Sequence, residues 1–297
     1  MPSRLVSVVV PAYNCERYLA TTLRSVQAQT YPHWELIVIN DGSRDGTGSI
    51  VQEFLADERI AYVEQVNTGV STARNNGAAR VRGEYVAFLD ADDHWEPTNL
   101  ERKIGVLETQ PDVDWVFSDM YNADESLRRT GLAPVGRDDR ILENILLWEG
   151  EVVPGPSSNV IVRRKCLDEG VAFDPALTTA ADQDWCLQLA RRYRGRRIPE
   201  ALWTYRVIGS SMSRNFAVME RDHLYVYRKA AAHGLFRSAW FRRHCFCNLY
   251  LILAGSWWIN GRRPGRGLYF IGRALLAYPP VAVRLLTKLL GIIQRAT

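Results

Sequence analysis

The chain reads as an α/β protein: a Rossmann-like, mostly parallel nucleotide-binding sheet with a helical, basic C-terminal extension. Three observations predict this. Short apolar, β-branched runs alternate with segments of helical periodicity across residues 5–89. Turn-forming loops follow three of those runs, at residues 11–14, 41–45 and 90–93, and the last two bear acids. All 33 acidic residues lie at or before Asp222, whereas 12 of the 37 Lys and Arg residues lie beyond it.

Residues 5–10 form a largely apolar run, the pattern of a strand covered on both faces. Residues 16–30 carry apolar side chains at helical spacing. Residues 35–39 give a second buried strand, after which Asp45 or Thr47 stands ready to cap a helix running toward Phe54. A third strand is expected at 60–64, a helix at 70–81 and a fourth strand at 84–89. Repeated β-α-β units of this length predict parallel pairing. Ligands in such sheets bind beyond the carboxyl ends of the strands, which brings loops 11–14, 41–45 and 90–93 together. Farther on, 112–118 and 157–162 read as strands and 137–150 and 180–192 as helices. Beyond about residue 215 the pattern turns helical, aromatic and basic.

A chain of 297 residues buries a sizeable core, and its charged fraction of 24% is ordinary for a globular protein. The cysteines at 15, 166, 186, 245 and 247 are odd in number and form no C-x-x-C pair. That argues for reduced thiols in a cytoplasmic setting rather than a disulfide frame or a zinc site. The net charge of +4 conceals an asymmetry: residues 1–222 carry 25 basic against 33 acidic side chains, and residues 223–297 carry 12 basic side chains and no acid. An acidic body is joined to a basic tail. No secretory leader is expected, because run 5–10 is short and leads into the turn Pro11-Ala12-Tyr13-Asn14. Nor is a membrane span, since the apolar stretch 245–259 is broken by Asn248 and Ser256 and falls short of about 20 residues.

Phe88-Leu89-Asp90-Ala91-Asp92-Asp93 ends a hydrophobic strand in three carboxylates. Such a cluster is unfavourable unless a cation or strong donors offset it. Oxygen ligands suit Mg²⁺ or Mn²⁺, which typically take one or two carboxylates plus substrate phosphates. A solvated acidic loop is the plainer alternative. Asp41-Gly42-Ser43-Arg44-Asp45-Gly46-Thr47 follows the second strand, where Asp41 would accept from a base or ribose; an ordinary strand-to-helix turn has the same composition. Residues 67–77 open the third helix, whose N–H groups and positive dipole end suit an anion, with Arg74 beside them or in a surface ion pair. Thr179-Ala180-Ala181-Asp182-Gln183-Asp184-Trp185 begins another helix, where Asp182 is either an N-cap or a reactive carboxylate.

In order and spacing, residues 6–14, 37–47, 69–77 and 88–93 resemble the nucleotide-binding half of the family 2 glycosyltransferases with the A-type (GT-A) fold. The likeness is close over about residues 4–115 and looser to about 213. It implies a nucleotide-sugar-binding half, 1–115, an acceptor-binding half, 116–215, and a helical tail, 216–297. It implies inverting transfer from a nucleotide-diphosphate sugar, often a UDP-sugar, with Mn²⁺ or Mg²⁺. Carried over by position, Pro11, Ala12, Tyr13 and Asp41 would contact base and ribose, Arg74 the nucleotide, Asp90 the ribose and Asp92 the metal. Asp182 aligns with the base that takes the acceptor proton, and Asp184 is its reserve. Ser158 and Asn159, in Gly155-Pro156-Ser157-Ser158-Asn159, align with a segment lining the sugar site, and residues 205–213 with a flexible loop. Two positions depart from the family. Ala181 stands where an acid commonly precedes the base, and Ile208 where the loop often carries histidine, so Arg206 or Arg214 is expected to neutralise phosphate instead.

Other enzymes of this general fold are disfavoured. A sugar-phosphate nucleotidyltransferase would carry a glycine-rich basic loop after the first strand, and a nicotinamide dehydrogenase a G-x-G-x-x-G; neither occurs. A non-catalytic sugar-nucleotide-binding protein is the reading that Ala181 and Ile208 keep open. Residues 281–295 set Arg284, Lys288 and Arg295 opposite Leu286, Leu290 and Ile293 on a helical wheel. That pattern suits an anionic membrane surface, or packing on the body. No recognised nucleic-acid module accompanies the basic tail, so no nucleic-acid partner is expected. The expectation is a cytoplasmic enzyme, peripheral at the inner face of the cell membrane, acting on a saccharide or lipid-linked acceptor in surface-polysaccharide or lipid-linked oligosaccharide assembly.

Overall fold

The computed structural model describes residues 4–133, 138–148, 150, 152–209 and 215–283. The chain divides into two compact units, residues 1–142 with 150–211 and residues 143–149 with 212–297. The first is built on one sheet. Its strands β1 (Val6–Ala12), β2 (Trp34–Asp41), β3 (Ile60–Gln65) and β4 (Tyr85–Phe88) are parallel in the spatial order β3-β2-β1-β4. Both faces of β1 and β2 are covered, which is why their sequences are almost unbroken apolar runs. On one face Val6, Val8, Val10, Leu36 and Val38 join Leu19, Leu23 and Val26 of α1 (Leu19–Gln27) and Val51 of α2 (Thr47–Phe54) in a single core. On the other face α3 (Val70–Ala78) lies against β1 and β2. Strand order runs outward from β1 to β3 and returns to β4 on the far side of β1, so the crevice beyond β1 and β4 is the switch point where ligands of such sheets lodge.

Beyond β4 the sheet is mixed. β8 (Ile161–Arg163) runs antiparallel to β4 and to β6 (Trp115–Ala123); β9 (Gly195–Arg206) runs parallel to β6. β5 (His94–Trp95) and β7 (Arg129–Ala133) add antiparallel pairs to β9 and β6. The strand expected at 157–162 is instead the short helix α6 (Pro156–Asn159) followed by β8. Gly155 at φ 42° and Pro156 at the first helical position start that turn, and the Asn159 side chain bonds to Ser118 across the core. β9 escapes the sequence pattern because Arg196, Arg197 and Glu200 interrupt its apolar period; its order comes from pairing along β6. The helix expected at 137–150 is α5 (Ile141–Leu147), with residues 137 and 149 outside the described set. α4 (Asn99–Thr109), α7 (Arg164–Asp168) and α8 (Ala181–Arg192) complete the helices of the first unit.

The second unit is helical: α9 (Phe216–Ala232), α10 (Ala239–Gly255), a π-helical turn Ser256–Asn260 and α11 (Pro264–Ala277). Side chains of Asn215 and Ser238 cap α9 and α10 by accepting from Val218 N and Phe241 N. Of the amphipathic tail expected at 281–295, only residues 281–283 belong to the described set. Among the described residues no helix is long and apolar enough to cross a membrane.

The closeness of α3 to β1 rests on Gly77, where an added Cβ would overlap Val9 and crowd Ile39. Gly77→Ala therefore forces helix and sheet apart, and we expect a loss of about 1–3 kcal/mol in urea unfolding. An unchanged midpoint would show that the contact yields freely.

Candidate functional site

The site is assembled where β1, β2 and β4 end. Loops after β1 and β2 are laced together: Asn14 N donates to Ser43 Oγ at 3.0 Å, Arg44 N to Asn14 Oδ1 at 2.8 Å, Cys15 N to Thr47 Oγ1 at 2.9 Å and Glu16 N to Asp45 Oδ2 at 3.1 Å. Pro11 and Ala12 close β1 in register with Ile39 and Asn40, and Tyr13 projects from it half-exposed. Gly42, at φ 71°, lies so near Asn67 N that no side chain fits there.

Asp41 is buried at the end of β2 and is already engaged. Oδ1 accepts from Thr68 N at 2.9 Å and Gln65 Nε2 at 2.7 Å, and Oδ2 accepts from Gly69 N at 2.9 Å. Its carboxylate thus lies just before α3, bonded to the backbone of Thr68 and of the N-cap Gly69. Asp41 fixes the 65–69 loop, and an incoming base or ribose donor would share its remaining lone pairs.

The carboxylates after β4 have divergent surroundings. Asp93 turns inward: Oδ2 accepts from Ser158 Oγ at 2.6 Å and Oδ1 from Arg206 N at 3.2 Å. Ser158 Oγ also accepts from Asp90 N at 3.0 Å, tying α6 to the turn on both sides. Thr22 Oγ1 reaches the carbonyls of Ala91 and Asp93, at 2.9 and 2.7 Å. Asp90 stays a third exposed and binds Arg74 Nη2 at 2.5 Å. Arg74 itself is buried with its guanidinium 5.0 Å from the Phe173 ring centre, and its Nε finds no partner. Burial and the neighbouring Asp90 charge push Asp92 up to about 6, and burial with both neighbours raises Asp93 well above the ordinary carboxylate range. Asp90 and Asp92 are left for the cleft, while Asp93 is a strut.

Asp182 opens α8 and meets this cluster from the second half of the unit. Phe88, Phe173 and Trp185 form an aromatic triad with centroids 5.0–5.5 Å apart, which docks α8 beneath the end of β4. Asn75 on α3 clasps Phe173 through both backbone groups, at 2.7 and 3.0 Å. Burial raises the Asp182 carboxyl, the Arg74 charge opposes that, and Oδ1 accepts from the adjacent Gln183 N at 2.7 Å. Asp184 has another setting: it is buried and accepts from Gln188 Nε2 at 2.8 Å, whose amide also bonds to Ala172 O at 2.9 Å.

Two expectations shift. Asn159 is fully buried and its amide is committed to Ser118, Pro154 and Lys103, so it supports the site from within the core. Arg206 is buried and clamps backbone: Nε donates to Asp92 O and Nη1 to Glu125 O, both at 2.7 Å, while Nη2 is left without a partner. Arg214 lies outside the described residues. Sequence reasoning missed Asp93 and Ser158 as a latch, because their pairing joins positions 65 residues apart. Among the described residues no group of three or more His, Cys, Asp or Glu side chains is set to hold a metal. Asp92 and Asp90 nonetheless fit a hard cation that takes one or two carboxylates and completes its shell with phosphate oxygens.

A sequence model described as "Glycosyl transferase family 2" matches residues 7–170. Over 248 residues the chain is 32% identical to the putative teichuronic acid biosynthesis glycosyltransferase TuaG of Bacillus subtilis (strain 168), spanning 80% of this chain and 92% of that protein. Among solved structures it is similar to S. aureus TarS 1–349 in complex with UDP-GlcNAc, with a TM-score of 0.67, 21% identity and coverage of 92% and 81%. It is also similar to the mannosyltransferase PcManGT of Pyrobaculum calidifontis in complex with GDP-Man and Mn²⁺, with a TM-score of 0.61, 18% identity and coverage of 97% and 80%. At these identities the structural likeness is one of fold.

The Asp92 shift carries a pH prediction. Its folded-state value of about 6 lies above the ordinary 3.8, so its ionisation costs the folded chain stability. That cost is absent below about pH 4, grows as pH rises through about 6 and is complete above it. Asp92→Asn removes it. Without metal, the variant should exceed the parent by about 1–3 kcal/mol near pH 8 and by little near pH 4.5, as read by urea unfolding. A variant less stable than the parent at both values would contradict the assignment.

Proposed function

The chain belongs to glycosyl transferase family 2, and from that premise we propose that it moves a sugar from a nucleoside-diphosphate donor, a UDP-sugar in our reading, to an acceptor hydroxyl with inversion at the anomeric carbon. The observation that carries the reading is the convergence of Asp90, Asp92, Arg74 and Asp182, whose charges act on one another, at the switch point of the sheet. A similar fold in proteins crystallised with UDP-GlcNAc and with GDP-Man and Mn²⁺ supports a sugar-nucleotide donor and a divalent cation. Residues 1–115 take the donor in this scheme, 116–215 the acceptor, and 216–297 form the basic tail.

Pro11, Ala12, Tyr13 and Asp41 line the base and ribose, Arg74 steadies the nucleotide, and Asp90 faces the ribose. Asp92 would hold Mn²⁺ or Mg²⁺, which supplies Lewis-acid neutralisation of the leaving diphosphate. Asp182 accepts the acceptor hydroxyl proton as the oxygen bonds to the anomeric carbon and the bond to the diphosphate breaks. Its raised affinity for protons is in the direction that strengthens a general base. Ser158 holds the acidic turn in place, and Arg206 holds its backbone. Likeness to a putative teichuronic acid biosynthesis glycosyltransferase supports a role in surface-polysaccharide assembly; a lipid-linked acceptor and a peripheral place at the inner face of a membrane complete the proposal.

A panel of sugar nucleotides with Mn²⁺, assayed for released nucleoside diphosphate and binding heat, tests this. Asp92→Ala should abolish metal-dependent donor binding. Asp182→Asn should keep binding and lose transfer by about 10²–10⁴. Undiminished transfer by Asp182→Asn would remove the base assignment.

A further inference from the structure

The second unit presents an apolar helix face bordered by arginines. In α11 the side chains of Phe270 and Ala274, with Gly267, are buried. Helical spacing puts Gly265, Leu268, Tyr269, Gly272 and Leu276 on the opposite side. There Leu268 is 57% exposed, Tyr269 48% and Leu276 78%, and Cβ atoms built on Gly265 and Gly272 would meet only open space. Arg266 and Arg273 run along one border of the face, one turn-pair apart; Arg273 donates to the hydroxyls of Tyr269 and Tyr250 at 2.8 Å, which leaves the ring of Tyr269 beside the leucines. At the hairpin tip that precedes α11, Trp258 is 47% and Ile259 75% exposed, next to the exposed Arg262 and Arg263.

We propose that this face and tip dock on an anionic lipid surface. The idea rests on the proposed role of the enzyme at a membrane-borne acceptor, but its evidence is separate. Exposed leucines and an isoleucine gain free energy by entering an acyl boundary, Trp and Tyr rings favour the headgroup level, and arginines at the border meet anionic headgroups. A soluble polyanion would engage the arginines and leave Leu268, Leu276 and Ile259 in water. A second copy fits poorly: Arg266 is already paired with Glu220, so a two-fold contact would set Arg273 near its own counterpart with that acid engaged elsewhere.

Co-sedimentation of the full chain with vesicles of phosphatidylcholine, alone or doped with phosphatidylglycerol, tests the proposal. Binding is expected to the doped vesicles and to weaken with salt. Leu268→Glu and Leu276→Glu should each lower it about tenfold, and Arg262→Ala with Arg263→Ala about fivefold per arginine. All variants should keep the circular dichroism and the vesicle-free release of nucleoside diphosphate of the parent. Absence of vesicle binding would overturn the proposal, as would leucine variants that bind like the parent. So would a dimer in sedimentation velocity that Leu276→Glu splits, or binding to dextran sulfate without binding to the doped vesicles. Vesicle binding by a chain that turns over no sugar nucleotide would spare docking and sink the catalytic reading; the converse would sink docking alone.

Discussion

Three aspartates leave one buried strand within four residues, and the surrounding structure is arranged around the repulsion they concentrate. Left to themselves, desolvated carboxylates at such spacing would protonate or pull the turn apart. The fold separates them by environment. Asp93 is drawn into the core by Ser158 and the Arg206 backbone, Asp90 is paired with Arg74, and Asp92 remains partly buried with its proton affinity raised. One sequence motif therefore contains a strut, an ion-pair partner and a carboxylate held in an unfavourable state that a cation would relieve.

The strut needs its own foundation. Ser158 sits on a single turn of helix whose carbonyl also accepts from Trp95 Nε1 at 2.7 Å, and whose last residue, Asn159, is bonded to Ser118 and Lys103. Lys103 is completely buried and burial lowers its proton affinity strongly, with no carboxylate offsetting the loss. Its amine is held by the carbonyl and side-chain oxygens of Asn159, so it acts as a hydrogen-bond donor of the core. Gly155, which starts the turn, is pressed against the Trp203 ring, so bulk cannot be added there without moving β9. The rigidity of the acidic turn thus derives from residues far away in sequence.

This division explains what was legible in the sequence. Strands covered on both faces write themselves as continuous apolar runs, so β1 to β4 and the acid-bearing loops beyond them were visible, as was the family they resemble. β9 was hidden because it alternates charged and apolar residues irregularly and shifts register beside Ser118 and Asp119. Nothing local reveals that Asp41 is bonded to the backbone 27 and 28 positions later, at the approach to α3. Asp92 and Asp93 are adjacent and chemically identical in sequence. The positions of Ser158 and the Arg206 backbone draw Asp93, and not Asp92, into the core.

A formal charge count sharpens the case for a cation. Asp93 is pushed toward its neutral form, which leaves Asp90, Asp92 and Asp182 against Arg74 and Arg206, a net charge near −1. A diphosphate approaching that site alone meets repulsion in a medium that screens it poorly. Arg206 cannot be turned wholly to the phosphates, since two of its nitrogens hold the backbone of Asp92 and Glu125. Arg74 is likewise divided, because the guanidinium that pairs with Asp90 also lowers the proton affinity of Asp182. In the proposed scheme a divalent ion held by Asp92 would reverse the sign of the site without disturbing either arginine, and would leave Asp182 ionised for the base role assigned to it.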